Sequence, residues 1–487
     1  MDTLPIHIPR VAGLFVSLVA FFAIPPGNIV IAQTAAPPPV RGSTDLPQRR
    51  PVAAVIDELV RIGLGSNRAL QSAELDVERS QAALDAARAR FFPEATLNAR
   101  YTRAEGGREV SLPLGAAFNP IYATLNELLV AEGKAPRFGA IEDPSFLFQR
   151  EREQDTRLSL RQPVFAPAIP AIVRAQRAAF EASEFAQMAL EQRLRRDITI
   201  GYLDGLRTIG TVTILEASRA LLAENLRVTE SLYRSGKLTR DQVLRAQAEA
   251  LAVEQSLLEA RLGTQRQRSY LNFLLNRSLD IPLEEAEIQA EIGRMTGDLE
   301  TLRIEALDRR PELDQLDQAV VAAEARRQAA RAARWPTLAL GVDGGTQGER
   351  YEFGRGRNFA TVSLLLNWTL FDGGALRAEE RGARRAAEQS RVQREQLAEQ
   401  IRLEVQQALD GLVTSAASLR TAEARREAAQ AAFRIAGRKR DEGVISQVEF
   451  LDARTSLTGA ELNLLATRLE VLARQAELDY VTGVPIS

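Results

Sequence analysis

Two stretches of about 65 residues, one following Pro170 and the other following Gly374, carry helical pattern without an internal proline. A helix of that length spans about 100 Å at 1.5 Å per residue, well beyond an ordinary globular domain. Each stretch runs into a glycine. The first ends in Ser235-Gly236-Lys237-Leu238-Thr239-Arg240, and the second in Glu442-Gly443-Val444-Ile445-Ser446-Gln447. A glycine just past a helix end, followed by a hydroxyl residue and renewed helical pattern, is how a helical hairpin is written. The chain is therefore a duplication built on two hairpin tips.

The return stretch after the first tip explains what such rods need. Val243, Ala246, Ala250, Val253, Leu257 and Ala260 follow the alternating three and four spacing of a coiled-coil seam. A second stripe of Leu244, Leu251, Leu258 and Leu262 runs beside it. Two adjacent stripes suit a helix held between two lateral neighbours, as in a closed ring. A solitary rod needs only one.

Composition narrows the chemistry. Sixty-two basic residues nearly cancel 64 acidic ones, so no overall field favours nucleic acid. There is no cysteine, and the single histidine is His7. Thiolate and imidazole chemistry are excluded from a mature chain that lacks its N-terminus, so an enzyme, a metal site and a cofactor are not expected. Residues 1–32 read as a signal peptide, with an apolar run from Val11 to Ile24 and a small residue at Ala32. Residues 33–51 read as a flexible Pro- and Ala-rich leader. No later apolar run is long enough for a membrane-spanning helix, which leaves a soluble exported chain or one inserted by strands.

Between the helices the period changes from 3.6 to 2. A first helical pattern stops at Phe91-Phe92-Pro93, and strands are expected at about 94–105 and 156–165, the second ending near Pro163. In the first, Ala95, Leu97, Ala99 and Tyr101 alternate with Glu94, Thr96, Asn98 and Arg100. The insertion between the two strands, residues 106–154, carries one short helical piece from Pro120 to Glu132. With its hairpin, this first repeat covers 52–278, and 279–310 reads as a connector. The second repeat, 311–483, replays the order. A helix ends at Trp335-Pro336 and strands follow at about 337–344 and 359–371, with a glycine-rich turn from Gly344 to Gly356. The turn Phe371-Asp372-Gly373-Gly374 then leads into the second long helix.

Leu70 and Leu313, like Pro93 and Pro336, stand 243 positions apart, whereas Phe165 and Phe371 stand 206 apart. Helix length is thus nearly fixed and strand-to-strand loop length is free, as expected of helices matched around a ring with loops at an open end. Four strands with one apolar face cannot close a barrel in hydrocarbon, so the chain either shares a barrel with copies of itself or keeps its strands out of the membrane. The second choice would make it a soluble exported coiled-coil spacer of the cell envelope.

The helix-strand-strand-helix-tip-helix order taken twice, the Phe-Pro and Trp-Pro junctions, the Leu370-Phe371-Asp372-Gly373-Gly374 turn and the two tips together resemble the TolC-like outer membrane efflux proteins. The resemblance implies a mixed α/β membrane protein: a homotrimer whose duplicated helical hairpins form a periplasmic α-barrel continuous with a transmembrane β-barrel, four strands per chain. It implies an exit duct of a tripartite efflux pump or type I secretion system, set in outer membrane lipid. Its partners would be a periplasmic adaptor and an inner-membrane transporter of the RND or ABC type. The adaptor would dock at Gly236, Leu238 and Thr239 of the first tip and at Gly443, Val444, Ile445 and Ser446 of the second. Glu449 and Asp452 match the family's acidic ring at the closed end, while Gln242 and Arg245 stand at the equivalent places of the first tip. Pro93, Pro163, Pro336, Asp372, Gly373 and Gly374 match its strand-helix junctions.

Overall fold

The computed structural model describes residues 49–147, 150–288, 298–352 and 354–484. The expected signal peptide and most of the leader, residues 1–48, lie outside the described residues. In chain order the elements are α1 (Val52–Ser66), α2 (Arg68–Ala89), β1 (Glu94–Arg103), β2 (Glu109–Ser111), α3 (Leu114–Ala131), β3 (Ser145–Leu147) and β4 (Arg152–Phe165). There follow α4 (Ala168–Arg234), α5 (Arg240–Leu274), α6 (Leu299–Arg309), α7 (Pro311–Ala332), β5 (Thr337–Gly348), β6 (Asn358–Asn367), α8 (Ala375–Asp441) and α9 (Gln447–Val481). The two long helices have 67 residues each and the two return helices 35 each. Towards the tips α5 packs on α4, α4 on α9, and α9 on α8. Towards the strands α2, α4, α7 and α8 lie side by side.

Two small cores hold the middle of the rods. One gathers Val55 and Leu59 of α1, Ile198 and Tyr202 of α4, and Leu271 of α5. The other gathers Leu302 and Ala306 of α6, Ile401 and Val405 of α8, and Leu478 of α9. Leu59 and Leu302 stand 243 positions apart, so α6 is the counterpart of α1. The segment 279–310 is therefore not only a connector. Its last third folds as the opening helix of the second repeat, because Leu302 and Ala306 need the apolar side of α8 for burial. Residues 49–51 are likewise fixed rather than part of a flexible leader. Arg49 pairs with Glu285 at 2.6 Å, Arg50 with Glu58 at 2.8 Å, and the Arg50 carbonyl accepts from the Glu287 N–H.

The strands form one antiparallel sheet in the order β1-β4-β5-β6, with the ladder register carrying the sequence alternation across all four. Leu97 faces Leu158, Leu158 faces Gly344, Val342 faces Val362, and Leu340 faces Leu364. Since side chains alternate along a strand, these residues share one face. Leu97, Leu158, Val362, Leu364 and Leu366 are each more than half exposed in the single chain. The opposite face carries Asn98, Arg157, Ser159, Asp343 and Thr361, with Ser159 donating to Asp343 at 2.5 Å. The outer edges of β1 and β6 are unpaired within the chain. An amphipathic sheet with two open edges is an arc of a barrel.

The strands differ from expectation at their ends. β4 starts at Arg152, because Arg152 and Glu153 still pair with Arg103 and Thr102. β5 continues to Gly348, so the expected turn from Gly344 begins only after it. Its glycines are ladder residues, and a Cβ at Gly345 would collide with the Thr156 carbonyl. β6 stops at Asn367 because the next residue, Trp368, turns its indole N–H onto the Arg334 carbonyl at 3.2 Å. The insertion holds the unforeseen ribbon of β2 and β3, and α3 begins six residues before Pro120. That extra turn is held from outside: the Gly115 N–H donates to Asp143 at 2.6 Å, and the Asn119 amide brackets Ile141.

Candidate functional site

The two tips end their long helices identically. Gly236 and Gly443 have φ of +72° and +73°, in the left-handed region that a residue with a side chain adopts only under strain. Around each, two backbone bonds close a Schellman motif. Gly236 N–H reaches Tyr233 and Lys237 N–H reaches Leu232, both at 2.9 Å. Gly443 N–H reaches Arg440 at 2.9 Å and Val444 N–H reaches Lys439 at 2.8 Å.

The return helices start differently. Ser446 makes a full capping box: its hydroxyl accepts from the Glu449 N–H at 3.3 Å, and the Glu449 carboxylate accepts from the Ser446 N–H at 3.0 Å. Thr239 holds the same position at the first tip, yet its hydroxyl makes no bond to the helix. The second tip is also braced from behind, by a stack that lacks any counterpart in the first. Arg440 lies 4.0 Å over Phe450, Phe450 packs on Phe433 at 5.5 Å, and Arg454 lies 5.6 Å from the Phe433 ring centre. Arg454 is 7% exposed and burial lowers its pKa. Its sequence signal was a pair of phenylalanines in otherwise Ala- and Arg-rich helices, which spacing alone does not join.

A cleft of about 1040 Å³ separates the two hairpins at this end. Leu238, Gly443, Ile445 and Ser446 line it, with Gln242 and Arg245 from the first hairpin. Gly236, Thr239 and Val444 lie at the extreme tips outside it, and the exposed Glu449 and Asp452 do not face it. One polar bridge crosses between hairpins beside the cleft, from the Gln447 amide to Asn225 at 2.9 Å.

At the other end of the rods the junction residues have distinct tasks. Pro93 and Pro336 immediately precede β1 and β5. Pro163 does not sit at the junction itself. It lies within β4, where the ladder register shifts between Pro163 and Phe165, since a proline has no N–H to give the ladder. Asp372 accepts from the Leu376 N–H at 2.7 Å and the Gly374 N–H at 2.8 Å, and these bonds hold its carboxyl below the usual range. Gly373 and Gly374, at φ +66° and +92°, make the bend that lets Asp372 reach that helix start.

A second polar cluster, not expected from the sequence, ties the repeats together at mid-height. Arg310 is 4% exposed. It forms a two-pronged pair with Glu312 at 2.9 and 3.1 Å, and reaches Glu404 at 3.1 Å and the Val481 carbonyl at 3.4 Å. The Tyr480 ring lies 5.1 Å from the guanidinium of Arg310 and 4.5 Å from that of Arg196. In the first repeat Asn67 stands 243 positions earlier, and its amide reaches the Leu274 carbonyl at 2.8 Å, 207 positions before Val481. The same helix start is fastened to the same helix end by unrelated side chains.

An amphipathic open sheet continued by paired helical hairpins is the layout of a channel-forming chain whose barrel is not closed within one copy. The model of the family described as outer membrane efflux protein matches residues 59–277 and 302–484, and the chain belongs to that family. It is 24% identical to the toluene efflux pump outer membrane protein TtgF of Pseudomonas putida, covering 88% of this chain and 83% of that one. The solved CmeC channel of Campylobacter jejuni superposes with a TM-score of 0.75 at 15% identity, covering 94% of each chain. VceC of Vibrio cholerae superposes with a TM-score of 0.73 at 18% identity, covering 89% of this chain and 97% of its own. The protein is an outer membrane channel component with a periplasmic extension, and the relatives it matches are channel proteins rather than enzymes.

Proposed function

We propose that three copies of this chain form one passive exit duct for small organic compounds, docked at its tips to a periplasmic adaptor and through it to an inner-membrane transporter. The open, one-face-apolar sheet carries the reading, because its two unpaired edges require neighbours in hydrocarbon. The small-molecule cargo is supported by relatives named for toluene and antibiotic efflux, and an RND-type transporter suits it better than an ABC-type secretion partner.

The helices also call for a neighbouring copy. Leu244, Leu251, Leu258 and Leu262 on α5 are all at least half exposed in the single chain. Burying the exposed half of each against the next copy contributes about 1 kcal/mol. Replacing Leu251 and Leu258 by Asp is therefore expected to turn detergent-solubilised trimers into monomers with unchanged helix content, checked by light scattering and circular dichroism. Trimers of normal stability would place the stripe outside the interface, and a wild-type monomer recovered without detergent would return the chain to the spacer reading.

At the tips the gate belongs to Glu449 and Asp452 in this proposal, six carboxylates around one throat. Like charges crowded in a narrow aqueous passage repel each other and attract cations. Replacing both by Ala should weaken divalent-cation block of conductance in planar bilayers. The capping box gives Glu449 a second duty, so Ser446→Pro, which removes the backbone N–H that its carboxylate accepts from, should shift the block without removing it.

A further inference from the structure

We propose that α3 forms a helix-to-helix seam with its copies across the outer mouth of the duct. The inference rests on the trimeric duct proposed above. Leu114, Phe118, Ile121, Leu125 and Leu128 recur at spacings of four, three, four and three, and are 38, 44, 53, 37 and 60% exposed. On a helix of 3.6 residues per turn they occupy an arc of about 80°, the narrow stripe of a coiled-coil seam rather than the broader face that beds into a core.

The neighbouring side of α3 is already taken by its own loop. Asn119 brackets Ile141 with bonds of 2.7 and 3.0 Å, Asn126 brackets residues 137–138 with bonds of 2.7 to 3.1 Å, and Tyr122 packs on Phe138 at 5.1 Å. These bonds fix the helix so that the apolar stripe stays outward. What covers it follows from the sheet edge. The loop bearing α3 runs directly from β1, whose free edge must meet β6 of the next copy, so the helix enters the assembly beside the subunit boundary. Cyclic closure then sets identical stripes around one axis at one height. A lipid surface fits less well. α3 has a single charged residue, Glu127, with no Lys, Arg or Trp, whereas helices that lie on membranes carry basic polar faces.

The absence of native cysteine makes a direct test available. Leu125→Cys lies on the seam, and Ala123→Cys is exposed about half a turn away. In full-length trimers in outer membrane vesicles, mild oxidation should convert up to two of every three chains of the Leu125→Cys variant to covalent dimers and leave Ala123→Cys monomeric on denaturing gels. The Phe118→Ser/Leu125→Ser double variant should conduct more than the parent. Trimers that crosslink at neither position, or equally at both, overturn the seam. So does quenching of a fluorophore on the Leu125→Cys thiol by spin-labelled lipid without crosslinking, which would assign the stripe to the bilayer. A wild-type chain that is not trimeric overturns the duct as well as the seam, which separates the two failures.

Discussion

Replacing Arg310 by Met is expected to cost about 3 kcal/mol, because it strands the mostly buried Glu312 carboxylate without its two-pronged partner. Met restores most of the volume, so the loss reports charge rather than cavity. The effect has a pH signature. Burial alone would raise the Glu312 pKa, but the hydrogen bond and charge of Arg310 outweigh it and hold the carboxyl below its ordinary 4.5. In the parent protein this pair therefore contributes fully above about pH 4.5, and its contribution fades as pH falls through the lower folded value. Without Arg310 burial is opposed only by a backbone bond and the Tyr480 hydroxyl, so the Glu312 pKa rises above its value in the parent and the deficit shrinks as pH drops from neutrality. The deficit of Arg310→Met should be larger at pH 7 than at pH 4, measured as the drop in thermal midpoint of the purified protein. Adding Glu312→Leu should recover most of it at pH 7.

Gly443→Ile is expected to abolish export while leaving assembly intact. Nothing lies within 4 Å of a Cβ at Gly443, so the substitution meets no clash, and its whole effect comes from φ of +73°. A left-handed residue with a side chain costs roughly 1–2 kcal/mol, more when β-branched, and the Val444 N–H would leave the Lys439 carbonyl as the turn relaxes. That loss is small beside the stability of 67-residue rods, but it reshapes the surface offered to the adaptor. Gly382 is the control: it also has open space around its Cβ but sits inside α8 with ordinary helical backbone, far from the tip cleft, so Gly382→Ala should export normally. Drug susceptibility of a strain lacking the native gene, complemented by each variant, gives the readout. Normal resistance with Gly443→Ile would detach the second tip from adaptor docking.

The family and the channel role were legible because they depend on periodic features. The long helical pattern, the glycines past its ends, and the period-two runs are local properties that survive reading in one dimension, and the constant offsets revealed the duplication. The turns at the tips were legible the same way, since Gly236 and Gly443 answer a backbone requirement that a residue with a side chain meets only under strain. Polar fastenings were less accessible. Asn67 and Arg310 do the same work in the two repeats and share no chemistry, so comparison of the repeats passes over them. The phenylalanine and arginine stack behind the second tip joins α8 to α9 across the turn, and only the packing of those helices decides that the rings meet.

What the sequence determined by itself was the pair of long helical hairpins, the four strands of the main sheet and their amphipathic faces, because helix period, strand period and turn chemistry are written in neighbouring residues, whereas β2, β3, α6 and the strand ends were set by packing and pairing. Tertiary structure decided which faces are left without partners. The register of β1, β4, β5 and β6 gathers Leu97, Leu158, Val342, Val362, Leu364 and Leu366 on one side left uncovered within the chain, and the folding of the 106–154 insertion onto α3 leaves a seam outward. The tips show the division at its finest. Both carry a hydroxyl three residues before Gln242 or Glu449, yet only Ser446 closes its capping box, a difference of side-chain geometry that the shared pattern of the two tips does not express.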